Sequence, residues 1–436
     1  MRAVGRLTAA GLLLAGVLAT AAPAAALPGV KHVFVIVLEN KGFDESFGPG
    51  SPAVYMNGTL RPRGKLLLNY YGIGHASLDN YVAMVSGQPP SPLTQGDCPL
   101  FADFVGAESP AEPGIWVGQG CVYPAGVRTV ADQLEAKGLT WKGYMEDMGN
   151  DPARDNGTNC AHPDLNSHDT TQSAAANDQY ATRHNPFVYF HSVIDRPSCA
   201  ANDVPLTHLQ GDLAQAATTA SLSFITPSLC HDGHDTPCSN GEPGGLVSSD
   251  QFLQTWVPRI LASPAYRDGG MLVVTWDESE TNDSSACCNE QPGPNTLSPG
   301  IGGPGGGRIG AIVVSPFTRP GTTSTQPYNH YSLLRTEEDL FGLDHLGYAA
   351  ADGLQPFGTD VFDAPATVQG SPAGAAAPKP DAQSPAVGAA VFGRPLPATG
   401  GTSSAMAGLA LVLLGLAGLG VARPRLSASG GSRPPA

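Results

Sequence analysis

Charge is scarce in this chain, and positive charge is scarcest. Only 14% of the 436 residues are charged, and 23 Lys and Arg stand against 38 Asp and Glu, for a net charge of −15. No basic stripe runs through the sequence. Nucleic acid is therefore excluded as a partner, because phosphate backbones are held by clustered Lys and Arg. The eight cysteines form no C-x-x-C pair, which argues against a Cys-rich zinc module. No internal repeat is visible. Between Pro365 and Pro395 neither helical nor strand periodicity exists, and Ala, Pro and Gly dominate. Such a stretch has too little apolar surface to fold.

Long apolar runs are equally rare outside the two ends. Arg2 and Arg6 precede the run 7–22, which is followed by Ala24, Ala25 and Ala26. This order predicts a secretory leader over residues 1–26. At the other end Leu396-Pro-Ala-Thr-Gly400 is followed by the run 405–422 and then by Arg423 and Arg425. Residues 396–436 thus resemble the sorting signal of wall-anchored proteins of Gram-positive bacteria. The resemblance implies a sortase as partner and attachment through Thr399. A plain C-terminal membrane helix is the alternative, since the run is just long enough to span. Between lie residues 27–352, the predicted folded domain, and residues 353–395, the predicted disordered stalk. Cysteines in an exported chain predict disulfides. Proximity favours Cys98 with Cys121, Cys160 with Cys199, and Cys230 with Cys238. Cys287 and Cys288 either bridge each other or pair elsewhere.

What the folded part does contain is buried strands with polar ends. Lys31-His-Val-Phe-Val-Ile-Val-Leu38 is a continuous apolar run that stops at Glu39-Asn40. Gly270-Met-Leu-Val-Val-Thr-Trp276 stops at Asp277-Glu278. Ser221-Leu-Ser-Phe-Ile-Thr226 leads to His231-Asp-Gly-His-Asp235, and Arg308–Ser315 ends at Pro316. Unbroken apolar runs of this length mark strands covered on both faces, as in a parallel sheet. Helical periodicity is visible over 127–137, 250–261 and 332–341. The alternation predicts an α/β fold, a mostly parallel central sheet flanked by helices. In such sheets ligands lie beyond the carboxyl ends of the strands.

One stretch organises the rest. Leu66, Leu67, Leu68, Tyr70 and Tyr71 read as a strand, then a glycine turn leads to Ser77. Leu78, Tyr81, Val82 and Val85 then recur at helical spacing. Ser77 therefore opens a helix, where free N–H groups and the positive dipole end collect and phosphate binds. Its hydroxyl either caps the helix, as serine often does, or attacks a bound phosphorus. Glu39, Asn40, His75, Asp232, His234, Asp235, Asp277, Glu278 and His330 are candidates to converge on it. Oxygen donors with a few histidines suit a divalent metal ion. An ion beside a serine would activate its hydroxyl and neutralise phosphate oxygens.

These motifs resemble the bacterial phosphoesterase family of secreted acid phosphatases and phospholipases C. The resemblance spans residues 31–348 and implies an alkaline-phosphatase-like sandwich. It rests on Val33–Asn40, on Gly74-His-Ala-Ser-Leu-Asp-Asn-Tyr81, on Trp141–Asp147 and Arg183–Phe190, and on Cys230–Asp235, Val274–Glu278 and Asn329–Leu334. It implies one divalent ion held by Glu39, Asn40, Ser77, Asp277 and Glu278. It implies Ser77 as nucleophile, with His75, His234 and His330 holding phosphate or donating a proton. Asn80, His184 and Asp232 would bind substrate. Asp277-Glu278 replaces the Asp-His of two-zinc relatives, and the sulfatase signature after the nucleophile is missing. The expected activity is acid phosphatase action on phosphate monoesters, phosphoinositide phosphates included, through a phosphoserine. A histidine proton donor favours acidic pH. A phospholipase C acting on the diester and a non-catalytic surface protein are the competing readings. Hydrolysis of p-nitrophenyl phosphate against phosphatidylcholine separates them. The substrate is expected to be a phosphorylated small molecule or a phospholipid head group.

Overall fold

The computed structural model describes residues 27–280 and 282–363. The predicted leader, most of the stalk and the sorting-like segment lie outside these residues. Among the described residues no helix is long and apolar enough to cross a membrane.

Among the described residues twelve strands follow in chain order: β1 His32–Leu38, β2 Lys65–Leu67, β3 Tyr70–Tyr71, β4 Val105–Glu108, β5 Trp116–Gln119, β6 Trp141–Met145, β7 Asp203–Pro205, β8 Leu222–Thr226, β9 Gly270–Trp276, β10 Ala311–Val314, β11 Thr322–Ser324 and β12 Tyr328–Asn329. Eight form the central sheet in the order β11-β2-β10-β9-β1-β8-β6-β7. All of its pairings are parallel except those of β10, which runs antiparallel to β2 and β9. The predicted class, α/β with a mostly parallel sheet, is the fold observed. β1 sits at the centre, and Val33 to Leu38 have no exposed surface. That explains its unbroken apolar sequence, because helices and loops cover both faces. The reversal of β10 sends its Ser315 end to the opposite edge, which is why that strand delivers no acid to the others.

The run 66–71 is not one strand. β2 joins the central sheet, while β3 pairs with β12 in a separate ribbon. Asn69 makes the break, with its Nδ2 donating to the Thr325 carbonyl at 2.8 Å. The helices run Ser77–Ser86, Val130–Ala136, Gly245–Ala262 and His330–Phe341, with shorter pieces between. The Gly245–Ala262 helix starts five residues before its periodic stretch and carries Pro258 within it. The Val130–Ala136 helix is opened by a reciprocal cap between Thr129 and Asp132, which marks its start better than Val127 does. The Ser77 helix packs between the Val130 and His330 helices.

Residues 353–363, assigned to the stalk from composition, are instead part of the folded unit. Phe357 and Val361 are buried. Asp360 accepts from the Tyr328 hydroxyl at 2.7 Å and, through its carbonyl, from Lys65 Nζ. Three bridges join Cys98–Cys121, Cys160–Cys199 and Cys230–Cys238, and the fourth is the vicinal pair Cys287–Cys288.

Candidate active site

Three neighbouring parallel strands, β8, β1 and β9, end on the same edge of the sheet. Register places Leu38 opposite Trp276, so Glu39 and Asp277 leave the sheet side by side. The Glu39 amide donates to the Asp232 carbonyl at 2.9 Å, and the Asp277 amide donates to the Leu38 carbonyl at 2.8 Å. The loop after β8 is thereby tied to the end of β1, and that tie brings Asp232 to the other two acids. Asn40, in a left-handed conformation with φ 56°, turns its amide onto Asp277 Oδ1 at 2.9 Å.

The Ser77 helix delivers hydroxyls to this edge. Ala76, not Ser77, is the N-cap, and no side chain caps the helix. Ser77 is thus free of the capping role, and its Oγ donates to Glu39 Oε2 at 2.7 Å. One turn later Tyr81 donates its hydroxyl to the other carboxylate oxygen, Oε1, at 2.6 Å. The loop before the helix lies tight against β9. A Cβ on Gly72 would sit 2.7 Å from the Asp277 carbonyl oxygen, so only glycine permits that approach.

His184 completes the cluster. Its Nδ1 meets Asp232 Oδ2 at 3.1 Å, and its ring stacks on Tyr81 with centroids 5.3 Å apart. Its Nε2 lies 3.4 Å from Glu39 Oε2 but outside hydrogen-bonding geometry, and it has no partner. Burial, with Arg183 and His234 adding to it, pushes the His184 pKa well down. The shift favours the neutral ring, and with Nδ1 facing Asp232 it is Nε2 that has no hydrogen-bond partner among the described residues. Burial, Asp277 and Asp232 together push the Glu39 pKa well up. Asp277 is pushed up to about 6, chiefly by burial. Asp277 Oδ2 is a second buried atom without a hydrogen-bond partner.

This donor set fits a divalent cation. Ligand atoms of Glu39, His184 and Asp232 lie within 4.8 Å of one another. Three buried carboxylates repel each other, one imidazole nitrogen has no partner, and one carboxylate oxygen is orphaned. A positive charge held among them would relieve all three conditions.

Beside the acids stand two basic side chains, His234 and the buried Arg183. His234 is partly exposed, and its backbone amide is held by Asp232 Oδ1 at 2.7 Å. Its Nδ1 meets Asp235 at 2.8 Å and its Nε2 faces Arg183 Nη2 at 3.3 Å. Arg183 Nε lies 3.7 Å from Asp97 Oδ2, whose other oxygen accepts the Leu78 amide at 3.0 Å.

The sequence-derived set is thus partly redistributed. Glu39, Asn40, Ser77 and Asp277 do meet. His184 and Asp232, expected to touch substrate, lie with Glu39 in a group that could hold a cation. Glu278, expected as a metal ligand, turns to the opposite side of the strand end, because side chains alternate there. It binds His75 Nδ1 at 2.7 Å, while His75 Nε2 meets the Asp283 carbonyl at 2.9 Å. His330, expected to hold phosphate, is fully buried. Its Nδ1 meets the Tyr70 hydroxyl and its Nε2 donates to the Asp277 carbonyl at 2.6 Å. In both rings each nitrogen meets a protein partner. Asn80 spends its amide on the loop, accepting from Ile73 and Gly74 and donating to Gly74 and Ala76. Tyr81, Arg183 and Asp97 were missed. The i, i+4 spacing from Ser77 marked Tyr81, and adjacency to His184 marked Arg183.

A probable acid phosphatase of Kluyveromyces lactis is 25% identical over 73% of this chain and 59% of its own. An Aspergillus fumigatus acid phosphatase is 25% identical over 66% of this chain. The chain spans about half the length of such fungal relatives, 51% for the latter. A phosphatidylinositol-3-phosphatase of Mycobacterium tuberculosis is 26% identical over 75% of this chain and 82% of its own. Among solved structures, an alkaline phosphatase superfamily protein of Vibrio parahaemolyticus overlaps at TM-score 0.39 with 14% identity, over 74% of this chain and 69% of its own. The model of the phosphoesterase family matches residues 53–344, and the chain belongs to that family.

Proposed function

We propose that the protein hydrolyses phosphate monoesters through a phosphoserine on Ser77, in the manner of an acid phosphatase. The observation that carries this reading is the Ser77 hydroxyl at a helix start, hydrogen-bonded to a buried carboxylate within a cluster of three acids. A divalent ion held by Glu39, His184, Asp232 and Asp277, with Asn40 and Ser77 at its edge, would lower the hydroxyl's pKa and neutralise phosphoryl charge. The resting Ser77 proton points at Glu39 Oε2, so the oxygen lone pairs are left for the incoming phosphorus. As the Oγ–P bond forms and the ester P–O bond breaks, Glu39 takes the serine proton. Arg183 holds phosphoryl oxygens, and His234, reachable from solvent, protonates the departing alkoxide. In the second half His234 takes a proton from water, the water oxygen bonds to phosphorus, and the serine oxygen leaves as it takes back its proton from Glu39.

The named mycobacterial relative supports phosphoinositide phosphates as one substrate class. Four bridged cysteine pairs support an oxidising, extracytoplasmic location. The leader and the sorting-like C-terminus support attachment at the outer cell surface. Ser77→Ala is the direct test. Hydrolysis of p-nitrophenyl phosphate should fall below about 1% of wild type with secretion and folding intact. Activity above that level would remove Ser77 from the chemistry, and cleavage of phosphatidylcholine in preference to the monoester would make the enzyme a phospholipase C.

A further inference from the structure

A small cavity lies beside an apolar cluster that the Ser77 helix helps to build. Ala83 of that helix and Ile73 of the preceding loop pack with Tyr331, Tyr348 and Leu354 in a small apolar cluster separate from the main core. Beside it is a cavity of about 60 Å³, lined in part by Tyr331, Tyr348, Glu290, Leu354 and Cys288. None of the groups assigned to phosphate chemistry lines it.

Three features of this cavity point the same way. The Tyr331 and Tyr348 rings stand nearly perpendicular, at 86° with centroids 5.7 Å apart. Two such rings make adjacent walls of the kind that hold ammonium groups against aromatic faces. Glu290 gives one oxygen to Asn329 Nδ2 at 3.0 Å, while its Oε1 is buried without a partner. The Tyr331 hydroxyl, on a residue only 2% exposed, is likewise buried and unpartnered. Among the described residues no Lys or Arg lines the cavity to answer the carboxylate. The size also matches. At roughly 10–15 Å³ per water-sized group the space takes about four to six of them, and a tetramethylammonium ion has about five heavy atoms. The bridge to Cys287 fixes Cys288 as a stiff apolar wall.

We propose that this cavity binds a small quaternary ammonium ion, held by the two tyrosine faces and neutralised by Glu290. The site is independent of the phosphatase reading, and binding is measured as heat, without turnover. Tetramethylammonium chloride titrated calorimetrically into the full-length protein should give a saturable isotherm in the millimolar range. The neutral isostere tert-butanol should give none. Glu290→Gln should weaken tetramethylammonium binding at least tenfold while p-nitrophenyl phosphate hydrolysis and far-UV circular dichroism stay at wild-type values. Glycine betaine in solution and vesicles bearing trimethylammonium head groups then distinguish a soluble ion from a lipid. Equal binding of tert-butanol, or no saturable tetramethylammonium isotherm with wild type, would overturn the proposal and leave the cavity to ordered water. Both of those outcomes are read on the unmodified chain, so they stand even where a variant fails to fold.

Discussion

Tyr81→Phe tests the architecture around the nucleophile. The substitution keeps the ring, and so keeps the stack on His184 and the packing of a side chain with no exposed surface. It removes one atom, the oxygen that donates to Glu39 Oε1 at 2.6 Å. Glu39 then retains Ser77 on Oε2 and a long contact from Asn40 Nδ2 at 3.4 Å. A hydrogen bond to a charged group contributes about 1.5–3 kcal/mol net. At 1.36 kcal/mol per decade that is about 10- to 150-fold. In the proposed mechanism the loss falls on the orientation of the carboxylate that would receive the Ser77 proton, so kcat should drop by that factor. KM should move less than about threefold, because Arg183 and His234 are untouched. Divalent-ion affinity, read by calorimetry, should fall with kcat. The assay is steady-state hydrolysis of p-nitrophenyl phosphate with thermal melting in parallel. A variant that melts like wild type and keeps kcat within about twofold would refute the claim that both oxygens of Glu39 must be held.

Other outcomes follow from single features. Asp203 is fully buried and its carboxyl is pushed up to about 7. Its contribution is complete below pH 4 and is lost as pH rises through 7, a loss of about 4 kcal/mol by linkage. Asp203→Asn keeps the acceptor for Asn185, so the wild-type-minus-variant difference in denaturation free energy should shift by that amount between pH 4 and 8, in the variant's favour at high pH. A chelator should abolish hydrolysis and lower the melting temperature, and a divalent salt should restore both; at 100 times the dissociation constant the ion adds about 2.7 kcal/mol of stability. Thr129→Ala breaks the reciprocal cap on the Val130 helix and should cost about 1 kcal/mol in urea unfolding with activity unchanged.

The parts of this molecule that were readable in sequence are those set by a local, repeating signal. β1, β8 and β9 announced themselves as apolar runs because the sheet centre excludes water from both faces, and their polar ends marked the reactive edge. Proximity in the chain sufficed to suggest the disulfides. What stayed hidden depends on direction rather than identity. Asp277 and Glu278 are adjacent acids, yet strand alternation sends one to Asn40 beside Glu39 and the other to His75. No sequence pattern states which. His330 and Asn80 carry the right chemistry for a phosphate site but are consumed by a strand carbonyl and a loop. Tyr81 read as part of an apolar stripe, because an aromatic at helical spacing looks the same whether its hydroxyl is used or not. The end of the folded region was misplaced because Phe357 and Val361 are isolated apolar residues in a Pro- and Gly-rich stretch, with no periodicity to reveal that they pack.

The spacing of the reactive carboxylates is inherited from main-chain pairing. Strands in a sheet stand about 4.7–4.9 Å apart, and β1 and β9 hold Glu39 and Asp277 at that interval whatever the excursions between them contain. The exposed Val105–Gln119 hairpin supplies none of these groups. It could be shortened or lengthened, and the main-chain register that sets the two acids side by side would remain as the ladder dictates. In this protein the placement of the acids and the length of such a hairpin are separately adjustable.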